Sequence, residues 1–192
     1  MSQRSPAEIL RLVLLYGLVG FLAWLSEPEP VSATAGAVLV LAGELVRVWA
    51  AGHLHKTKEL ITSGPYRFTR NPLYLGRLLI FTGVALMARL PWAHANLVVL
   101  LLGWLVFFGY YMPRKERIEP ARLERVHGEA YRRYYAAVPA LFPHRRPWPD
   151  PGGRWRADRF RRNRELLTAV ALGLLVAYFL LRAFGVVLPS RN

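Results

Sequence analysis

"GPYRFTRNPLYLGRLLIFTGVALM", Gly64 to Met87, sets two incompatible solvents side by side. Its first half holds Arg67 and Arg70 among aromatics and turn formers. Its second half, from Leu78, is apolar to Met87. Such a juncture fits a chain leaving a membrane surface and entering lipid. The rest of the sequence repeats the pattern. Of 192 residues 54% are hydrophobic, yet the net charge is +14, and the two populations fall into separate blocks. Apolar runs alternating with short polar ones are the mark of a polytopic helical membrane protein. The runs are continuous rather than alternating, which argues against a β-barrel. With no cysteine, disulfides, thiolate metal sites and thiol nucleophiles are excluded.

A span needs about 20 apolar residues. The sequence predicts five spans: Ile9 to Leu25, Val31 to about Ala51, Leu73 to Ala88 (a short one), Ala93 to Met112 and Leu166 to Leu188. The first reads as a retained span rather than a cleaved leader. The expected fold is therefore an all-α membrane helix bundle with one cytoplasmic amphipathic helix. It forms a single membrane domain over residues 1–192, with a core over 31–143, a basic linker over 144–165 and an additional helix over 166–188.

Charge gives the expected orientation. The stretch from Arg114 to Arg164 holds fifteen of the 26 basic residues, whereas the turn "SEPEP", Ser26 to Pro30, is acidic. By the positive-inside rule the basic loops and the N-terminus lie in the cytoplasm and the C-terminus outside. The same charge meets anionic headgroups. A nucleic-acid reading of Arg145 to Arg164, which interleaves arginine with aromatics, ranks below this one, because no nucleic-acid-binding motif accompanies it. The proline- and glycine-rich linker reads as long and mobile.

Several polar groups fall where lipid is expected. Glu44 and Arg47 are three residues apart and share a helix face, as an ion pair or a functional pair. Arg182, near the end of the fifth span, has the reach to snorkel outward. His53 and His55 do not share a face and have no third ligand nearby, so no metal site is expected. After the fourth span, Leu123, Val126, Ala130, Tyr131 and Tyr134 make one apolar stripe, read as an amphipathic helix lying on the surface. Stepping back by fours from Leu123 puts Glu119 and Lys115 on that side. Glu119 there needs a cationic partner, either Lys115 or a nearby arginine, or a ligand.

Two motifs carry chemistry. One is "TSGPYRFTRNPLYLG", Thr62 to Gly76. The other begins at Glu119-Pro120, continues through Leu123, His127-Gly128, Tyr131 and Tyr134, and ends at Val138-Pro139 and Pro143. In this order, one helical hairpin apart, they resemble the isoprenylcysteine carboxyl methyltransferase family and its phospholipid N-methyltransferase relatives, over about Gly52 to Pro143. The resemblance implies an integral membrane methyltransferase that uses S-adenosylmethionine and acts on a lipophilic small molecule or lipid. It implies cofactor contacts at Leu60, Ile61, Tyr66, Asn71, Pro72, Leu73, Tyr74 and Glu119, and a catalytic set of Lys115, Asn71 and Arg70. It implies no metal and no nucleic-acid partner.

The chain departs from the family pattern at four places. Lys58 and Asn71 each stand where the family has a histidine, Pro120 where it has a second glutamate, and Lys115 where it has an arginine. Asn71 cannot titrate, so only a positioning role carries over. Pro120 suggests that the helix restarts there, with Glu119 at its cap. Lys115 keeps the charge but loses the bidentate fork. The basic aromatic loop, with turns at Gly64, Pro65 and Pro72, is expected to act as a lid over the cofactor. Two other classes remain open: a nicotinamide-dependent reductase like the sterol reductases, which share the Tyr-x-x-Tyr-x-x-x-Val-Pro ending, and a non-catalytic protein that keeps the fold. Oligomeric state is not legible.

Overall fold

The structure, a computed structural model, describes residues 17, 19–55, 59–163 and 165–187. Most of the first expected span, the end of the fifth, and Lys58 lie outside the described residues.

Residues 19–25 are helical. Helix α1 follows over Pro30–His53, with a proline in its first turn, where the missing N–H costs nothing. A 3₁₀ turn covers Gly64–Arg67. Helix α2 runs over Pro72–Met87 and α3 over Ala95–Val106. A π-helical turn, Phe107–Tyr111, joins α3 to α4, Met112–Ala137. The short α5, Ala157–Arg162, precedes α6, Glu165–Ala183. No strand occurs among the described residues.

Among the described residues, three helical stretches are long and apolar enough to cross a membrane: Pro30–His53, the run Ala95–Ala137 and Glu165–Ala183. The 16-residue α2 is apolar but shorter, about 24 Å by helical rise. Of the five expected spans, the second, fourth and fifth correspond to these three and the third to the shorter α2, while most of the first lies outside the described residues.

Helices α1 and α2 pack through glycines seven residues apart on each. A Cβ at Gly43 would stand 2.7 Å from the Gly76 carbonyl oxygen, and one at Gly83 would stand 2.5 Å from that of Gly36. Lipid offers apolar side chains no reason to leave it, so close backbone approach at small residues is what holds such helices together. One core forms where α1 and α2 meet α6, around Val40, Met87 and Phe179. A second lies between α2 and the start of α4, around Leu75, Leu78 and Met112. Helix α3 buries no residue and exposes Leu97, Leu101, Leu102 and Leu105, as lipid contact allows.

Four expectations change. First, the fourth span and the amphipathic helix are one continuous helical run. Pro113 would clash with the carbonyl four residues back, and the wider π turn immediately before it gives the ring room. Second, the helix passes through Pro120 without restarting, so Glu119 is not a cap; the break is at Gly128, with φ 52° and ψ −128°. The backbone reverses there. Arg70 bonds both the Glu116 carboxylate and the Tyr135 carbonyl, which a straight helix would hold about 28 Å apart. The predicted stripe therefore divides: Tyr131 and Tyr134 are buried, and Val126 is exposed.

Third, the linker is docked. The Arg67 Nε donates to the Trp148 carbonyl at 2.7 Å, and the Trp148 N–H to that of Arg67 at 2.9 Å. The Arg156 N–H, Arg159 and Asn163 then donate to carbonyls of Gly52, His53, Ala51 and Leu54. These are the orphan carbonyls of a helix end. Fourth, Arg182 is buried and donates to the Ala23 and Trp24 carbonyls instead of snorkelling.

Candidate functional site

Where α1 ends, α2 begins and the two limbs of α4 fold together, the chain leaves a cavity of about 460 Å³. The floor is built from sequence neighbours. Asn71, one residue before α2, is 4% exposed. Its amide nitrogen donates to the Glu116 carboxylate and to the Ala140 carbonyl, each at 2.7 Å. Both partners are acceptors, so the amide orientation is fixed. Arg70 forms an ion pair with the same carboxylate at 2.6 Å, and its guanidinium lies 3.5 Å from the Tyr135 ring centroid. Glu116 is thus held by Arg70 and Asn71 together. Lys115 and Glu119, one turn apart, pair with each other. Of the protein's own cations that the sequence allows as partners of Glu119, Lys115 is the one it pairs with.

The walls are more apolar. Leu60, Ile61, Tyr66, Leu123, Tyr131 and Tyr134 line them. Tyr66 is buried, which pushes its phenol up and keeps it neutral. Tyr134 donates from its hydroxyl to the Tyr66 carbonyl at 2.7 Å and meets Trp148 edge to face. The basic aromatic loop is a fixed wall and not a hinged lid. Its Phe68 carbonyl accepts from the His144 N–H, its Arg70 N–H donates to the Pro139 carbonyl, and Arg67 is tied to Trp148. Gly64, at φ 59°, lies against the His53 ring, where a side chain would not fit. His53 bonds Ser63 at 3.0 Å and is part of this support; His55 lines the cavity.

The predicted residues separate into two groups. Leu60, Ile61, Tyr66, Arg70, Asn71, Lys115 and Glu119 all line the one cavity. Pro72, Leu73 and Tyr74 do not. Pro72 is fully buried as the first residue of α2, and Tyr74 lines a separate apolar groove. The two spaces meet at Tyr74, since Lys115 Nζ stands 5.1 Å from its ring centroid. The sequence reading passes over Glu116. Its signal is the seven-residue spacing to Leu123, two helical turns on one face, which four-residue steps overlook. Glu44 and Arg47 line neither space. They form an ion pair at 3.5 Å, and Arg47 also pairs with Glu165 at the start of α6.

Long apolar helices define a helical integral membrane protein, with a polar cavity at one end and an apolar groove beside it. No metal-binding cluster of three or more His, Cys, Asp or Glu occurs among the described residues. Residues 31–117 match the phospholipid methyltransferase family, which bears out the phospholipid methyltransferase side of the resemblance and points to methyltransferase activity. The match covers α1 to the start of α4, including the Arg70–Asn71–Glu116 cluster and Lys115, and ends two residues before Glu119. No curated protein and no solved structure matches the chain.

Proposed function

We propose that the protein is a membrane methyltransferase that uses S-adenosylmethionine and methylates a lipophilic or lipid-like acceptor at the cytoplasmic face. The observation that carries this reading is the convergence of seven family-implied residues on one cavity, most of them within the segment that matches the family. The cavity's size lies in the range of small-ligand sites. Its donor set suits the cofactor: a flexible carboxylate at Glu119 for a cationic amino group, and an apolar and aromatic wall at Leu60, Ile61, Tyr66 and Leu123 for a flat base. When bound, S-adenosylmethionine supplies an electrophilic methyl carbon on a cationic sulfur.

The chain's own residues bind, orient and keep dry. Arg70 and Asn71 act as positioning residues: they fix Glu116 and tie α4 to the loop that carries Tyr66 and Asn71. Lys115, between Glu119 and the Tyr74 ring, stands where the cavity meets the apolar groove, and would face the acceptor. Tyr66, neutral and packed under Tyr134, narrows the water-filled part of the site. A reaction between a charged and a lipophilic partner is helped by that geometry, because placement and exclusion of water are most of what the protein can add.

The test is calorimetric titration of the detergent-purified protein with S-adenosylhomocysteine, with NADPH in parallel. Micromolar binding of the first alone is expected, followed by transfer of labelled methyl groups into a lipid extract. Binding of NADPH alone would assign a reductase, and binding of neither by a folded sample would assign a fold without this chemistry. Glu119→Ala is expected to abolish S-adenosylhomocysteine affinity. An unchanged affinity would remove Glu119 from the site.

A further inference from the structure

The apolar groove beside the cavity has walls from α2, α3 and the π-helical turn, and a volume of about 500 Å³. Three observations give it a polarity and a length. Arg77 stands on its wall, exposed, with its guanidinium 5.1 Å from the Tyr74 ring centroid. No carboxylate pairs with it among the described residues, although most of the other cations around the cavity are paired. The inner end of the groove is the Tyr74 ring, whose other neighbour is Lys115 of the polar cavity. The far end is closed where the Phe81 ring packs onto Gly103 so tightly that residue 103 has no room for a Cβ. Beyond Phe81 lies a second, almost purely apolar space of about 210 Å³, which shares Phe81 as its wall and continues to Val84, Ala88 and Val99.

We infer that this groove holds the acceptor as a single-chain amphiphile with an anionic head, anchored at Arg77, and that Phe81 seated on Gly103 sets the length of chain accepted. The inference rests on the methyltransferase reading for what happens at the head. Its own basis is charge complementarity: an unpaired guanidinium at the mouth of an apolar groove recognises an anionic head whose chain stays in lipid. Tyr74 to Phe81 is seven residues of helix, about 10 Å of groove. The wider π turn in the opposite wall is the kind of local distortion that membrane and soluble helices concentrate at ligand sites.

The experiment uses the full chain in phosphatidylcholine nanodiscs with alkyl phosphates that carry a photoactivatable diazirine at the chain end, crosslinks being mapped by peptide mass spectrometry. The octyl phosphate is expected to label the segment around Phe81 and Gly103. In the wild type the hexadecyl phosphate is expected to leave Val84, Ala88 and Val99 unlabelled. Phe81→Ala joins the two spaces, and the hexadecyl chain end then labels those residues. Phe81→Leu, a milder change, is expected to give partial labelling, and thermal melting reports that both variants are folded. Arg77→Ala is expected to lower octyl phosphate labelling about tenfold, the loss of one charge-assisted anchor, and Arg77→Lys to restore part of it. Equal labelling by octyl alcohol or octyltrimethylammonium would overturn the anionic anchor, and hexadecyl labelling beyond Phe81 in the wild type would overturn the length limit. Groove labelling without S-adenosylhomocysteine binding would leave this inference standing while the methyltransferase reading falls. The reverse result would sink the inference alone.

Discussion

Asn71 makes two hydrogen bonds from one nitrogen, to Glu116 and to Ala140. A neutral imidazole has one N–H and could satisfy only one of these acceptors. Where the resemblance implies a histidine, the surrounding structure therefore accommodates an amide, whose hydrogen bonds hold Glu116 and the Ala140 carbonyl. This gives an ordered prediction. Asn71→His, which keeps one donor, is expected to cost about 1 kcal/mol. Asn71→Asp sets a second carboxylate against Glu116 in a site that is almost fully buried, and is expected to cost about 3 kcal/mol. Thermal unfolding in detergent measures both, and an Asn71→Asp protein as stable as the wild type would show that the cluster does not hold α4 in place. The sequence made Asn71 and Arg70 visible as candidates because they stand in a motif. It did not show their partner, since Glu116 stands 45 residues of chain beyond Asn71 on another element.

The glycines matter as pairs of elements. Gly36 and Gly43 on α1 face Gly83 and Gly76 on α2 at backbone contact, and no hydrophobic force exists in lipid to compensate if that contact is lost. Gly43→Leu is expected to separate the two helices at the cost of about 3 kcal/mol, read as a lowered melting temperature with loss of S-adenosylhomocysteine binding, because Arg70 and Asn71 ride on the start of α2. Gly128 has a different reason for being glycine. At φ 52° and ψ −128° it occupies backbone space that other residues avoid. Gly128→Ala, with open space around the added methyl, is expected to cost about 2 kcal/mol through backbone strain alone. Unchanged stability of that variant would mean that the helix does not reverse there in solution. Apolar runs made the helices legible in the sequence, and their periodicity fixed the faces correctly up to residue 123. Periodicity assumes an unbroken helix, so counting through Gly128 put Leu123 and Val126 on one apolar stripe with Ala130, Tyr131 and Tyr134, which the reversal divides.

At the scale of the whole molecule, the C-terminal third binds back onto the core at three levels. Arg47 in α1 joins Glu44 to Glu165, Phe179 of α6 fills the core beside Val40 and Met87, and Arg182 closes the Ala23 and Trp24 carbonyls at the end of the helical residues 19–25. The linker between these levels and the site was read as mobile because composition counts prolines and glycines without counting partners. Prolines restrict the backbone as much as glycines loosen it, and here Trp148, Trp155 and Asn163 between them engage Tyr134 and the carbonyls of Arg67, Val48, Ala51 and Leu54. The indole of Trp155 also occupies the space that a side chain at Gly52 would need. A segment with eight arginines between 145 and 164 would be cut quickly by trypsin if it were loose, whereas a docked segment is cut only when it opens; the bonds just named predict slow cleavage between Arg154 and Arg162 in the wild type. Trp155→Ala removes the indole N–H donated to Val48 and the packing against Phe160, and is expected to raise the cleavage rate about tenfold, equivalent to about 1.4 kcal/mol of lost docking. Because the same strap holds Trp148 against Tyr134 and Arg67, S-adenosylhomocysteine affinity is expected to fall in parallel. Equal cleavage of wild type and variant would show that the strap is free in solution, and that the cavity is walled without it.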